Sequence, residues 1–209
     1  MSSTIELTTE QAIMEAAEEL FLENGYAGTS TTAIARKAGC NQALVHYYYR
    51  SKENLFGLVF RKKISIFLSF FLQISNEDLP FEEKLAKRIG AHFDMVRANE
   101  RIPAMFFNEV ATNSELTKKV LENFSDLPLP VIQQLQSELD KEFAAGRICK
   151  TQATDLVFNI ISMNLIAFLS KPLVQMFTQS SDEVMEKLLD ERKASNIQTI
   201  MKSLKPTPI

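Results

Sequence analysis

Two neighbouring amide side chains, Asn41 and Gln42, offer the clearest recognition chemistry in this sequence. A side-chain amide carries a hydrogen-bond donor and an acceptor side by side, and this pair can bind the edge of adenine in the major groove of DNA. Gln42 is the first candidate for this contact, whereas Asn41 either acts likewise or caps the helix that follows. Ala43 is either small enough to reach a thymine methyl group or simply a good helix former.

Hydroxyl and basic side chains on both sides of this segment could bind the phosphate backbone. Tyr47 and Tyr48 can place their hydroxyl groups on phosphate oxygens, and Thr31 and Thr32 can do so from the N-terminus of an earlier helix. Lys52 lies in the first turn of a predicted helix, where a cation suits a phosphate better than the helix dipole. Such contacts position a protein on DNA without specifying the sequence.

His46 lies between these two groups and has two interpretations. It could contact a phosphate or a base, and protonation at low pH would strengthen a phosphate contact. It is equally compatible with an ordinary solvent-facing histidine at the end of a helix.

The charge of the chain is unevenly distributed. The formal net charge is −3, yet residues 26–63 contain seven Lys and Arg against Glu53 alone, so this segment carries +6 and the rest −9. A basic segment in an otherwise acidic protein indicates a phosphate-binding surface. The alternative is a solvated basic face without a partner.

Other classes of function have little support. The sequence has no nucleophile elbow or phosphate-binding loop, and its two histidines, His46 and His92, leave few acid-base options. Cys40 and Cys149 lack the spacing of a metal site or a disulfide framework. Apolar runs are too short for a membrane span, and the N-terminus does not resemble a signal peptide. We expect a cytoplasmic protein that is not an enzyme and uses no cofactor, metal or membrane.

The elements that position these residues are predicted to be helices. Gly and Pro number only 6 and 7 while helix-forming residues dominate, which favours an all-α fold of about nine to ten helices. A capping box at Thr8 predicts the start of the first helix. Ser30 or Thr31 caps a short second helix, and Gly39 suits its end.

A third helix is predicted over about residues 42–48, with Val45 and Tyr49 turned inward, and Ser51 caps a fourth over about 52–73. Two short helices joined by a turn that contains Gly describe a helix-turn-helix, although purely structural helix corners share this spacing. Further helices are predicted at about 81–98, 103–111 and 115–124. Another helix ends at about 145, and the last two lie at about 153–169 and 182–204.

The run from Gly25 to Phe56 resembles the N-terminal domain of the TetR family of bacterial transcription regulators, and the resemblance covers about residues 8–68. The residues that carry it are Gly25, Thr29, Ile34-Ala35, Ala38-Gly39, the aromatic cluster at 47–49, Ser51-Lys52-Glu53 and Leu55-Phe56.

Three positions depart from the family pattern. His46 stands where many members have Tyr, Tyr49 where Phe is usual, and Cys40 where an aliphatic residue is usual. The Tyr49 hydroxyl then needs a partner or water, and Cys40 is expected to be a small buried hydrophobe.

The resemblance implies a DNA-binding domain at 8–68, with its helix-turn-helix motif at 30–49, and a ligand-binding and dimerisation domain at 69–205. Helices near 153–169 and 182–204 would form a four-helix homodimer interface. The dimer would present two recognition helices about 34–36 Å apart to a pseudo-palindromic operator in double-stranded DNA. The commoner mode in the family is repression that an inducer relieves, with the fourth helix, 52–73, as the lever between the two domains.

A surplus of Phe and Met suits a small apolar or amphipathic inducer, which buried polar groups could orient. The candidate ligand contacts are Phe67, Phe71, His92, Met105, Phe106, Asn108, Glu109, Asn159 and Met163. Core packing explains these residues equally well. A DNA-binding or structural dimer of the same fold without an inducer is therefore the alternative.

Overall fold

The computed structural model describes residues 8–75, 77–101, 103, 116, 118, 120, 122 and 129–206. Every regular element within these ranges is a helix, so the predicted all-α fold is confirmed. The helices, in chain order, are α1 Thr9–Asn24, α2 Thr31–Lys37, α3 Gln42–Tyr49, α4 Lys52–Ser75, α5 Phe81–Ala98, α6 Leu129–Ala144, α7 Ala153–Leu169, α8 Lys171–Thr178 and α9 Asp182–Ser203.

The helices predicted at about 103–111 and 115–124 lie largely outside the described residues. The chain divides into two compact units, one of Met1–Ser65 with Ala104–Asp126 and one of Ile66–Pro103 with Leu127–Ile209. We refer to them as the N-terminal unit and the C-terminal unit.

Short polar side chains start the first helices of the N-terminal unit. Thr8 forms the predicted capping box, because its Oγ1 accepts from the Gln11 N–H while the Gln11 side chain accepts from the Thr8 N–H. Ser30, rather than Thr31, caps α2 by accepting from the Ala33 N–H at 3.1 Å. Gly39 follows α2 with φ +69°, a conformation that favours glycine and allows the chain to turn sharply into α3.

The core of the N-terminal unit holds α3 in place. Val45 and Tyr49 are the buried residues of α3, as the sequence pattern predicts. Phe56 packs edge-on against Phe21 and Tyr26, with ring centroids 5.1 and 5.2 Å apart. The other buried apolar side chains of this core include Ile13, Ala16, Ala17, Ile34, Ala35, Leu55, Val59 and Phe60. Anchored by two residues, α3 leaves its remaining side chains on or near the surface.

In the C-terminal unit, α7 is the central helix and packs against α5, α6, α8 and α9. One apolar cluster surrounds Leu85, Leu135 and Ile160, and a second surrounds Phe93, Phe168 and Leu189. No single helix among the described residues is long and apolar enough to cross a membrane. Helices α7 and α8 reach that length and apolar character only when taken together, and the pair is bent by 51°.

Helix α8 is an element that the sequence pattern did not predict. α7 ends at Leu169, and α8 begins at Lys171 with a proline in its first two positions, where the missing N–H removes no helical bond. No side-chain cap marks its start, since Ser170 forms no capping hydrogen bond. The boundary therefore lacks the usual polar signal.

Candidate nucleic-acid interface

The solvent-facing side of α3 consists of predicted contact residues. Gln42, Ala43, His46, Tyr47 and Tyr48 are all exposed. The two tyrosine rings meet edge-on, with centroids 5.2 Å apart, and Tyr47 is 67% exposed. An apolar ring of this size on the surface of a small domain is available to a partner.

Gln42 joins the predicted contact residues of α2 and α3 in one hydrogen-bonded group. The Thr32 hydroxyl donates to Gln42 Oε1 at 3.1 Å, and Gln42 Nε2 donates to the Thr31 hydroxyl at 2.9 Å. The same Nε2 lies 3.5 Å from Nε2 of His46, one turn further along α3. We call Thr31, Thr32, Gln42 and His46 the Gln42 cluster. It holds the Gln42 amide, the predicted base contact, at the exposed start of the helix.

Asn41 occupies the cap position of α3. Its Oδ1 accepts from the Leu44 N–H at 3.0 Å, so the structure gives it the capping role that was one of its two interpretations. A base contact by Asn41 remains a prediction.

Lys52 has intramolecular partners that sequence analysis did not foresee. Its Nζ donates to the backbone carbonyls of Tyr26 and Thr29, at 2.9 Å each, and lies 4.0 Å from the centre of the Tyr26 ring. The Tyr26 hydroxyl donates in turn to the Glu53 carboxylate, and this bond lowers the pKa of Glu53. Lys52 thus helps to connect the start of α4 with the turns after α1, and its predicted phosphate contact remains untested.

Tyr26 and Thr29 are structural residues that were not among the predicted site residues. Thr29 is buried and donates its hydroxyl hydrogen towards the carbonyls of Leu20 and Gly25, at 2.9 and 2.8 Å. Both residues, Tyr26 and Thr29, lie in the run that resembles the TetR family, and this position was the sequence signal that could have identified them. The hydroxyl of Tyr49 likewise finds a partner, because it donates to the Glu10 carbonyl at 2.9 Å.

Ion pairs with α1 neutralise part of the basic segment. Lys37 pairs with Glu19, and Lys63 with Glu18. Over residues 8–65, seven Lys and Arg stand against six Glu, which leaves a net charge of only +1. The net charge of residues 8–65 is therefore a weaker indication of DNA binding than the +6 of residues 26–63, and the arrangement of α3 carries more of the argument. Cys40 is half-buried rather than fully buried.

A buried polar network lies in the C-terminal unit among α5, α7 and α9. Nδ2 of Asn164 donates to the Ile89 carbonyl and to Nδ1 of His92, both at 3.0 Å. Nδ2 of Asn196 donates to Oδ1 of Asn164 at 2.9 Å and to the Met163 carbonyl at 3.1 Å. Burial lowers the pKa of His92 to about 4, so this imidazole is neutral at physiological pH.

Arg88 and Glu138 form a pair that sequence analysis missed. The guanidinium of Arg88, with a fully buried side chain, donates to both carboxylate oxygens of Glu138 at 2.5 and 2.8 Å and lies 4.5 Å from the centre of the Phe71 ring. The helical spacing could have indicated that Arg88 is buried, since Arg88 lies between Leu85 and His92 on the buried face of α5.

The other ligand candidates are only partly described. Phe71 is buried and Met163 packs on the same apolar cluster. Asn159 is exposed on the surface of the single chain. The side chain of Phe67, and the residues Met105, Phe106, Asn108 and Glu109, lie outside the described part of the structure.

Helix α7, apolar on nearly all sides, is not fully covered by its own chain. Phe158 is 72% exposed and Ile166 is 59% exposed, and Ile161 and Leu169 are also at the surface. Such a row of apolar side chains is typical of a surface that another protein covers.

Comparison with known proteins finds similarity to bacterial regulators. Residues 13–59 match the model of bacterial regulatory proteins of the tetR family. The fatty acid metabolism regulator protein of Bacillus subtilis is 29% identical over 111 residues, which are 53% of this chain and 57% of that protein. The chain thus aligns with little more than half the length of this relative. A second Bacillus subtilis protein, the uncharacterized HTH-type transcriptional regulator YhgD, is 23% identical over 74% of this chain and 80% of its own.

Solved structures share the fold along most of the chain. The transcriptional regulator FadR from Bacillus subtilis, in complex with stearoyl-CoA, has a TM-score of 0.70, with 22% identity over 92% of this chain and 98% of its own. FadR from Bacillus halodurans, a fatty acid degradation regulator, has a TM-score of 0.64 and 18% identity, over 92% of this chain and 96% of that one. The match at residues 13–59 agrees with the resemblance of this segment to bacterial regulatory proteins of the tetR family, and the chain shares its fold with the solved regulators over most of its length.

Proposed function

We propose that this chain is a cytoplasmic, ligand-responsive transcription repressor that binds a pseudo-palindromic operator as a homodimer. Residues 8–68 would form its DNA-binding domain and residues 69–205 its ligand-binding and dimerisation domain. The observation that carries the proposal is the exposed face of α3, where Gln42 is held by Thr31 and Thr32 at the start of the helix. An amide fixed by neighbours loses less conformational freedom when it binds a base.

The dimer would form through α7 and α9. The apolar side chains that α7 exposes, above all Phe158 and Ile166, would be removed from water by the partner. Two-fold symmetry would then present two copies of α3 to successive major grooves, about 34–36 Å apart.

The proposed inducer is a long-chain acyl compound such as an acyl-CoA. Its support is the sequence relative named for fatty acid metabolism, together with the Phe and Met residues of the C-terminal unit, of which Phe71 and Met163 are described. The alternative, a DNA-binding dimer of this fold without an inducer, is favoured by the tight packing of these same residues in an apolar core.

DNA binding is tested with the purified protein, DNA from upstream of its own gene and unrelated DNA, across a salt series. We expect specific binding with a steep dependence on salt, and we expect Gln42→Ala to lower the specificity by removing the preference at the base pair that Gln42 contacts. Gln73→Ala is the matched control, since Gln73 is an exposed helical glutamine of α4 that belongs to the C-terminal unit. Equal affinity for all DNA, unchanged by Gln42→Ala, would refute the proposed function.

The inducer is tested with stearoyl-CoA, against coenzyme A alone, by thermal shift and by release of bound operator. A ligand that binds only the folded state raises the melting temperature, and an inducer must also lower operator affinity. A thermal shift without release, or neither effect, would favour the alternative without this inducer.

The dimer is tested by sedimentation of Phe158→Glu. A charge at a covered apolar position should produce monomers with weakened operator binding. Phe143→Glu is the matched control, because Phe143 is an exposed phenylalanine at the end of α6. An unchanged dimer in the Phe158→Glu protein would exclude this face as the interface.

A further inference from the structure

In the Gln42 cluster, His46 is the group whose hydrogen bond depends on whether the oxygen or the nitrogen of the Gln42 amide faces it. A hydroxyl group can either donate or accept a hydrogen bond, so Thr31 and Thr32 fit the amide in both of its orientations. An imidazole nitrogen that carries no hydrogen can only accept, and one that carries a hydrogen can only donate. The state of His46 therefore determines which end of the amide faces it.

The backbone determines which nitrogen of His46 carries the hydrogen when the ring is neutral. Nδ1 lies 3.3 Å from the carbonyl oxygen of Arg50, and a carbonyl only accepts, so Nδ1 must be the donor. Nε2 of neutral His46 then has no hydrogen and must accept. Gln42 satisfies it by presenting Nε2, which lies 3.5 Å away.

Protonation reverses this preference. An imidazolium carries a hydrogen on both nitrogens, so Nε2 of His46 then faces the Gln42 amide as a donor. The NH2 group of Gln42 is unfavourable there, whereas Oε1 becomes favourable. Turning the amide by half a rotation brings Oε1 to His46 and Nε2 to Thr32, whose hydroxyl can accept instead of donate.

Few other groups contact His46. Its described hydrogen-bond neighbours are the Gln42 amide and the Arg50 carbonyl, and α2 reaches it through Thr31 and Thr32 of the Gln42 cluster. Two elements pack against α3: α2, with Arg36 and Lys37 at its end, and α1, which carries Glu10, Glu15, Glu18, Glu19 and Glu23, while Arg50 follows α3 directly. Lys37 is paired with Glu19. His46 itself is exposed, so protons reach it freely.

The orientation of the amide matters because adenine has a donor at N6 beside an acceptor at N7. A glutamine binds both only when its oxygen faces N6 and its nitrogen faces N7. At a fixed position of α3 on the DNA, turning the amide exchanges these two ends and mismatches both contacts.

We propose that His46 is a specificity-determining residue that sets the orientation of the Gln42 amide, so that preference for adenine at the base pair contacted by Gln42 depends on the protonation of His46. This inference rests on the proposed DNA-binding function and on Gln42 as its base-reading residue. His46 acts here through Gln42, as a positioning residue.

The experiment first locates the base pair that Gln42 contacts. Wild-type protein and Gln42→Ala select DNA from pools randomised around the bound upstream site, and the position whose preference is lost in Gln42→Ala is the one that Gln42 reads. Adenine preference at this position is then measured between pH 5.5 and 8, as the ratio of affinities for adenine and for the other bases.

We expect the wild-type adenine preference to be about tenfold or more at pH 8 and to fall several-fold towards pH 5.5. Affinity for unrelated DNA should stay constant or rise over the same range, since protonation adds a positive charge near the phosphates. Opposite trends in specificity and general affinity distinguish this mechanism from acid unfolding, which would lower both.

His46→Phe keeps a ring at this exposed position but removes both nitrogens. Its adenine preference should be below that of the wild type at pH 8 and independent of pH. A wild-type preference that does not change with pH, or a pH dependence that persists in His46→Phe, would overturn the inference while leaving the proposed function intact. Absence of sequence-specific binding by the wild type at every pH would overturn the proposed function, and this inference with it.

Discussion

The ammonium group of Lys52 donates a 2.9 Å hydrogen bond to the carbonyl oxygen of Tyr26 and lies 4.0 Å from the centre of the ring of the same residue. A second bond, to the carbonyl of Thr29, has the same length. One side chain at the start of α4 therefore connects to two points of the segment between α1 and α2. The arrangement makes Lys52 a stabilising residue of the N-terminal unit, in addition to its predicted phosphate contact.

Lys52→Met should lower the free energy of unfolding by about 2 kcal/mol, because two charge-assisted hydrogen bonds and a cation–π contact are lost. Chemical denaturation measures this. Arg36→Met removes one exposed positive charge from the same unit and should change stability by less than about 0.5 kcal/mol. Unchanged stability in Lys52→Met, with DNA affinity alone reduced, would instead support a pure phosphate contact.

Tyr49→Phe should lower the free energy of unfolding by about 1 kcal/mol below pH 10, because the hydrogen bond to the Glu10 carbonyl is lost. Burial raises the pKa of Tyr49 to about 12, from an ordinary value of 10. The folded state thus favours the neutral phenol, and this stabilisation is complete below pH 10 and is lost as the pH rises towards 12.

The difference in stability between wild type and Tyr49→Phe should therefore shrink between pH 10 and 12, which denaturation at a series of pH values would measure. Tyr47→Phe, at an exposed position of the same helix, provides the control and should have little effect on stability at any pH. A constant difference across this range would contradict the prediction.

The wild-type protein should lose up to about 3 kcal/mol of stability through His92 as the pH falls from 6.5 to 4. Burial lowers the pKa of His92 to about 4 in the folded state, so over this range the unfolded chain takes up a proton that the folded chain does not. The contribution is complete above pH 6.5 and is lost as the pH falls through the folded value.

His92→Gln should reduce this acid sensitivity, since glutamine keeps an acceptor for Asn164 but does not titrate. His46→Gln is the matched control because the chain has only 2 histidines and His46 is exposed. An equal dependence of stability on pH in the wild type and in His92→Gln would contradict a buried neutral imidazole.

Arg88→Met or Glu138→Met alone should lower the free energy of unfolding by about 3–5 kcal/mol, because each leaves a charged partner in a largely buried site. The double variant Arg88→Met with Glu138→Met should recover much of this loss, since two apolar side chains can fill the space. A double-mutant cycle for Lys187 and Glu183, exposed on α9, should give a coupling energy below about 1 kcal/mol. Additive effects at Arg88 and Glu138 would show that the pair is not coupled.

The N-terminal helices were predictable because their ends are encoded locally. Thr8, Ser30 and Asn41 each bond to a backbone N–H three residues away, and Gly39 adopts a φ that few other residues tolerate. The periodicity of α3 likewise identified Val45 and Tyr49 as its buried residues. Such signals lie within a few residues of the feature that they predict.

The contacts that sequence analysis missed join distant parts of the chain. Lys52 and Tyr26 are 26 residues apart, and Arg88 and Glu138 are 50 apart, so neither pairing leaves a local pattern. Helix α8 escaped prediction for a different reason, since only Ser170 separates it from the end of α7 and its start has no side-chain cap. Polar side chains in apolar helices also have several possible partners, and only the packing of α5 against α7 selects Asn164 for His92.

The shallow anchoring of α3 has an evolutionary consequence. Five of the eight residues of this helix are exposed, and only Val45 and Tyr49 are buried. Surface substitutions typically change stability by less than about 0.5 kcal/mol. If residues 42, 43, 46 and 47 contact DNA as proposed, the descendants of a gene duplication can therefore change their DNA targets by exchanging these residues while the scaffold beneath them stays folded.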